Sequence, residues 1–193
     1  MDIKRYLMLI IAVIVGMISI SIAYAALSSQ LTVTVNKVTQ TAQSWNVALT
    51  TGTLTATVEG TGDAGRSCGT ATATATAITV DNTSLSKPGD GCVYTFVVNN
   101  TGTIGAKLGT ITPTKPTSTT CGTASGGNMV CGNITYKITT NAAGTTLATS
   151  SNTSVSAGGN KTLYLVVRYN ASTPASSAVT QTGAKFTLPF NQA

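Results

Sequence analysis

The stretch of residues 85–108, LSKPGDGCVYTFVVNNTGTIGAKL, constrains this chain more than any other. A Pro-Gly-Asp turn at Pro88, Gly89 and Asp90 leads into residues 92–99, CVYTFVVN, whose β-branched and aromatic side chains leave little to face water. Such a run predicts a strand buried on both faces at the centre of a sheet. The polar break Asn99-Asn100-Thr101-Gly102 then turns the chain into a second extended run through Ile104, Ala106 and Leu108.

The rest of the sequence points the same way. Thr accounts for 38 of 193 residues, and its stiff χ1 suits a pleated, half-buried surface and resists helix. The chain outside its N-terminal apolar run is long enough for one domain with its own core. Short β-prone segments separated by frequent turns, eight or nine of them, predict an all-β chain. The expected architecture is a two-sheet, jelly-roll-like β-sandwich that follows an N-terminal export signal helix.

Residues 1–25 have the three parts of an export signal. Lys4 and Arg5 open it, an apolar run covers residues 7–22, and Ala23-Tyr24-Ala25 forms a small-x-small cleavage site. Cleavage is expected after Ala25. The apolar run exceeds a usual signal core, so an uncleaved membrane anchor is the second reading. In both cases residues 39–193 form a domain outside the membrane, secreted or held at the cell surface. Between signal and domain, residues 26–38 alternate: Leu27, Leu31, Val33 and Val35 share one face, and Ser28, Gln30, Thr32, Thr34 and Asn36 the other. This segment is either the domain's own first strand or a donor that completes a neighbour's sheet.

Further along, residues 44–50 carry Trp45, Val47 and Leu49 on one face, with Trp45 expected as a core anchor and carbohydrate stacking as its other use. Residues 54–58 predict a third strand after a turn at Thr51-Gly52-Thr53. Residues 71–80, ATATATAITV, read as one alternating strand with a bulge or a change of sheet near Ile78. Residues 133–140 place Ile134, Tyr136 and Ile138 together. Residues 161–169 are apolar on both parities and predict a second buried strand. Residues 185–192 place Phe186, Leu188 and Phe190 on one face of a last strand, with Pro189 marking it as an edge strand or as the strand's outer side.

Cys68, Cys92, Cys121 and Cys131, in a chain without histidine, argue for disulfides over a metal. Three connectivities exist. The preferred one closes the Gly-rich loop with Cys121 and Cys131, and uses Cys68 and Cys92 to tie the loop at Arg66 and Ser67 to the start of the central strand. Glu59 and Asp63 read as solvated loop charges, because no D-x-D-x-D-G calcium loop surrounds them. The net charge of +6 falls to +5 without residues 1–25, which carry Asp2, Lys4 and Arg5. The remaining basic residues are scattered, so no nucleic-acid surface is expected, although anionic polysaccharide would be attracted. Without histidine, Ser-His-Asp catalysis and H-E-x-x-H metal chemistry are absent, and no phosphate-binding loop occurs. The expectation is a protein that is not an enzyme and holds no cofactor or metal. Asn82, Asn99, Asn133, Asn152, Asn160 and Asn170 each open an N-x-[ST] triplet and are candidate glycosylation sites.

In its ordered motifs the chain resembles the TasA/camelysin family of secreted biofilm-matrix fibre proteins, to which archaeal bundling pilins look related. The resemblance rests on the Ala23-to-Ala25 export site opening directly into a strand, on LSKPGD followed by Tyr94 and Phe96, on NNTGTI with Ala106 and Lys107, and on the closing FTLPFNQA. It implies a jelly-roll subunit of an extracellular fibre or pilus, polymerising by donation of residues 26–38 through Leu27, Leu31, Val33 and Val35. The partner it implies is the protein itself, as a homopolymer, with other matrix proteins or polysaccharide as further partners. A monomeric, membrane-anchored adhesion or binding module is the alternative. The metalloprotease label of some camelysin-like members does not transfer to a chain without histidine.

Overall fold

The computed structural model describes residues 43–60, 66–117, 120–173 and 179–193. The export signal, the donor residues Leu27, Leu31, Val33 and Val35, and Asp63 lie outside the described residues.

The central strand expected from its β-branched run is β7 (Gly91–Asn100). One side of it pairs antiparallel with β14 (Asn160–Tyr169), from Asn160 opposite Asn99 to Arg168 opposite Gly91. Its other side takes β1 (Val47–Leu49) at one end and β3 (Ala56–Glu59) at the other. Beyond β14 the same seven-stranded sheet continues through β12 (Ile134–Thr139), β11 (Asn128–Cys131) and β10 (Cys121–Ser125). Burial on both faces of β7 holds only for its first four residues. From Thr95 onward its side chains alternate between core and outer face.

Across the core lies a five-stranded antiparallel sheet in the order β2 (Gly52–Leu54), β4 (Thr70–Ala73), β5 (Ala77–Asp81), β16 (Ala184–Thr187) and β9 (Thr112–Thr114). Two small sheets complete the fold: β13 (Ser154–Val155), β8 (Ala106–Leu108) and β17 (Phe190–Gln192) in one, β15 (Val179–Gln181) and β6 (Thr83–Leu85) in the other. The domain is thus the expected all-β sandwich, with more and shorter strands because the chain changes sheets often. Tyr94 and Leu165 of the large sheet and Ile78 and Phe186 of the smaller one are fully buried in a single core. Burying such side chains contributes roughly 1.5–3 kcal/mol each.

Four local expectations are corrected. Residues 71–80 form not one strand but the hairpin β4–β5. Thr74 closes it, its amide donating to the Ala77 carbonyl at 2.8 Å while its hydroxyl lies 3.2 Å from the Ala77 amide. The turn restarts the alternation, so Ala73 faces Ile78 and Ala71 faces Val80 across the pair. A small side chain thereby opposes a large one throughout the core face. The strand expected over residues 54–58 is cut at Thr55, since β2 pairs with β4 while β3 returns to β7. The step out of the large sheet follows Leu49, whose amide donates to the Ala75 carbonyl at 2.9 Å, and it passes through Gly52 at φ +128°, where a side chain would be strained. Pro189 does not mark one edge strand. It separates β16 from β17, which belong to different sheets, because proline cannot donate to a ladder. Trp45 is 39% exposed and anchors no core; the chain beside it is held by its backbone, Thr101 donating to Asn46 and Thr103 to Ser44 at 2.9 Å each.

Candidate functional site

A surface recess of about 440 Å³ opens where β8 runs into β9. Its floor is apolar: Leu108, Ile111 and Ala148 are buried, and Leu147, 37% exposed, forms a lip. The hairpin tip Ser125-Gly126-Gly127 makes one wall, and residues 147–150 another. Both walls hang on β12, because Ile138 donates to the Gly127 carbonyl at 2.7 Å and accepts from the Ala148 amide at 2.9 Å. Asn152 shapes the second wall by accepting from the Thr149 amide and donating to the Leu147 carbonyl, both at 2.8 Å. Among the described residues, no ionisable side chain lines the recess. Its chemistry is therefore apolar contact plus hydrogen bonding.

The recess sits near one margin of the sandwich. Among the described strands, β9 ends the five-stranded sheet and β10 ends the seven-stranded one, each pairing on one side only. These margins adjoin, and the Lys115 ammonium bridges them by donating to the Cys121 carbonyl at 3.2 Å. At the opposite margin the chain of β1, β2 and β3 passes from sheet to sheet and links them covalently.

Each described carboxylate has a structural partner. The Arg168 guanidinium grips Glu59 in two places, Nε to Oε2 at 2.9 Å and Nη2 to Oε1 at 3.1 Å, and also donates to the Ala143 carbonyl at 2.8 Å. Glu59 is thus an ion-pair partner and not a free loop charge. Asp90 is almost fully buried, accepts from the Lys87 amide at 3.2 Å and lies 3.5 Å from Arg66, which clamps the Pro-Gly-Asp turn. Asp81 accepts from the Gly183 amide at 2.8 Å. Among the described residues no group of three His, Cys, Asp or Glu could hold a metal ion, and no helix is long and apolar enough to cross a membrane.

Two disulfides form with the preferred connectivity, Cys68–Cys92 and Cys121–Cys131, with Cα–Cα distances of 5.6 and 3.9 Å. Bridges of this kind persist in oxidising compartments, which suits a domain outside the cytoplasm. Cys121 and Cys131 are direct cross-strand partners in the β10–β11 pair. Cys68 sits one residue before Gly69, where a Cβ would come within 1.7 Å of the Asp81 carbonyl oxygen, so the loop is packed tightly onto β5.

Buried phenols complete the polar interior. Tyr136 donates to Gln181 Oε1 at 2.8 Å, and Gln181 Nε2 passes the chain on to the Cys131 carbonyl at 2.8 Å. Burial, and to a lesser degree the neighbouring Tyr94, pushes the Tyr136 hydroxyl well above its ordinary value. Burial also raises Tyr94, with the Thr83 side chain working in the opposite direction.

Of the candidate glycosylation residues, Asn82, Asn133, Asn152, Asn160 and Asn170 are exposed and Asn99 is half-buried. Sequence reasoning did not find the recess, because its lining comes from separated segments and includes ordinary Gly, Ser and Thr. Comparison with protein-family models, with curated proteins and with solved structures yields no match.

Proposed function

We propose that this protein is a structural subunit of an extracellular fibre or pilus, polymerising when residues 26–38 of one copy add as a strand to the sandwich of the next. The observation that carries the reading is a match between two parts of the chain. One is the alternating segment after Ala25, with Leu27, Leu31, Val33 and Val35 on one face. The other is the sandwich margin where β9 and β10, among the described strands, each pair on one side, next to an uncharged recess floored by Leu108 and Ile111. An incoming strand would gain backbone hydrogen bonds from such an edge and bury its apolar teeth in such a recess. Two disulfides support export from the cytoplasm, and the function asks for no catalytic group. The resemblance to TasA-like matrix proteins supports the same assembly.

Deleting residues 26–35 tests it. The truncated protein is expected to fold with both disulfides, to elute as a monomer and to form no fibres by electron microscopy, while the intact secreted chain forms them. Fibres that persist in the deletion refute strand donation. N-terminal sequencing of the extracellular protein separates this reading from the anchored monomeric module, which the length of the apolar run favours: a start at Ala26 leaves no anchor.

A further inference from the structure

Six asparagines open N-x-[ST] triplets, and their surroundings sort them. Asn82 is followed by a buried Ser84 whose backbone is paired in both directions with Ser67 at 2.8 Å. Asn99 lies within β7, flanked on both sides, and its Nδ2 donates to Thr50 at 2.8 Å. Asn133 donates to the Tyr169 hydroxyl at 3.3 Å, and its triplet runs straight into β12 through the buried Ile134. Asn152 spends both side-chain atoms on the 147–149 backbone, and Thr153 behind it is fully buried. Asn160 is exposed, but its triplet lies inside β14 and pairs with Asn99 to Val97.

Asn170 differs in where its triplet lies. It follows the last residue of β14, it is exposed, and its side chain makes no hydrogen bond among the described residues. Ala171 and Ser172 continue in a loop outside any strand, with Ser172 exposed. Two bonds fix the base of that loop: the Asn170 amide donates to the Asn133 carbonyl at 2.7 Å, and the Tyr169 hydroxyl donates to the Thr173 carbonyl at 2.9 Å. The triplet thereby starts from a hydrogen-bonded base, with Asn170 and Ser172 exposed. A second recess, about 210 Å³, opens beside Asn170 and brings Thr135, Lys137 and Arg168 to its walls, polar groups that sugar hydroxyls can meet.

We infer that Asn170, within Asn170-Ala171-Ser172, is the N-glycan acceptor of the folded protein. The co-reactant is an oligosaccharide carried on a lipid pyrophosphate. The Asn170 Nδ2 attacks the anomeric carbon, the carbon–nitrogen bond forms as the bond from that carbon to phosphate oxygen breaks, and the pyrophospholipid departs as an anion. The amide proton passes to a carboxylate of the transferase, and nothing is oxidised or reduced. Arg168, two residues before the acceptor, means that the enzyme must read the bare triplet without an acidic residue there. The inference needs a domain that reaches the outer side of a membrane, and it is independent of polymerisation.

The test uses the purified, oxidised full chain, a solubilised oligosaccharyltransferase that recognises the bare triplet, and its lipid-pyrophosphate oligosaccharide, read by glycopeptide mapping. The folded chain is expected to take up sugar at Asn170 about tenfold or more faster than at any other triplet, because strand-bound triplets must first open locally. Asn170→Gln and Ser172→Ala abolish the modification, whereas Ser172→Thr keeps it. The reduced, unfolded chain is expected to accept sugar at several of the other triplets as well. Modification of the folded chain at another triplet at an equal or greater rate overturns the inference. So does a folded chain left unmodified while the unfolded one is glycosylated at Asn170.

Discussion

The two disulfides make a quantitative prediction, because they close loops of different length in the same domain. Cys68 and Cys92 are 24 residues apart and Cys121 and Cys131 are 10 apart. In the loop-entropy account, cross-links of these lengths stabilise by about 3.4 and about 2.7 kcal/mol respectively. The surroundings widen the gap. Cys92 is fully buried on the central strand, and the Cys68 side of its bridge carries the Ser67–Ser84 pairing and the close approach of Gly69 to Asp81. Cys121 and Cys131 already face each other in a hairpin that β-pairing holds together. The double substitution Cys68→Ala with Cys92→Ala is therefore expected to cost about 3–4 kcal/mol, and Cys121→Ala with Cys131→Ala about 2–3 kcal/mol. At roughly 2–4 °C per kcal/mol for a domain of this size, the first pair lowers Tm by about 7–14 °C. Urea unfolding followed by far-UV circular dichroism, with the slope m compared between variants, measures both. A loss of under about 1 kcal/mol for the first pair, or a larger loss for the second, refutes the reasoning.

Asn100 is buried at the corner after β7, where Nδ2 donates to the Ile104, Val155 and Ser156 carbonyls at 2.8, 3.3 and 3.1 Å and Oδ1 accepts from the Gly102 amide at 3.0 Å. Asn100→Ala leaves several of these groups unpaired away from water and is expected to cost about 3 kcal/mol in urea unfolding; a cost below about 1 kcal/mol contradicts the role given to this side chain. Tyr94 and Tyr136 are held above the ordinary tyrosine value, chiefly by burial. Their folded values are raised, so the stabilisation is whole below the unfolded value of about 10 and is lost as pH climbs through the folded values. The urea midpoint is expected to fall between about pH 8 and about pH 11, and Tyr136→Phe reduces that fall; a flat profile argues that neither phenol stays protonated in the folded state.

What could be read from the sequence follows from how much each segment depends on distant ones. The long strands β7 and β14 were legible because their apolar side chains occupy both parities, as in a strand covered on both faces, although in β7 that cover extends only over its first four residues. The disulfide pairing was legible because each bridge joins a loop to a strand start or spans a short turn. The hairpin at Ala75 and Thr76 was not, since Thr and Ala alternate through it with no Gly, Pro or Asn to mark the reversal. Thr74 supplies the turn with a hydroxyl that elsewhere in the same run only faces solvent. Trp45 misled for a related reason: its parity matches Val47 and Leu49, but it lies beyond the end of β1 and is left exposed. The grip of Arg168 on Glu59 joins residues 109 positions apart, and no local pattern encodes it. Sites built this way, the two recesses included, gather short polar residues from several turns, each unremarkable where it stands. In a chain with one Thr in every five residues, composition announces the sheets, and only the places where the chain leaves one sheet for another decide which threonines and asparagines meet water and which are buried.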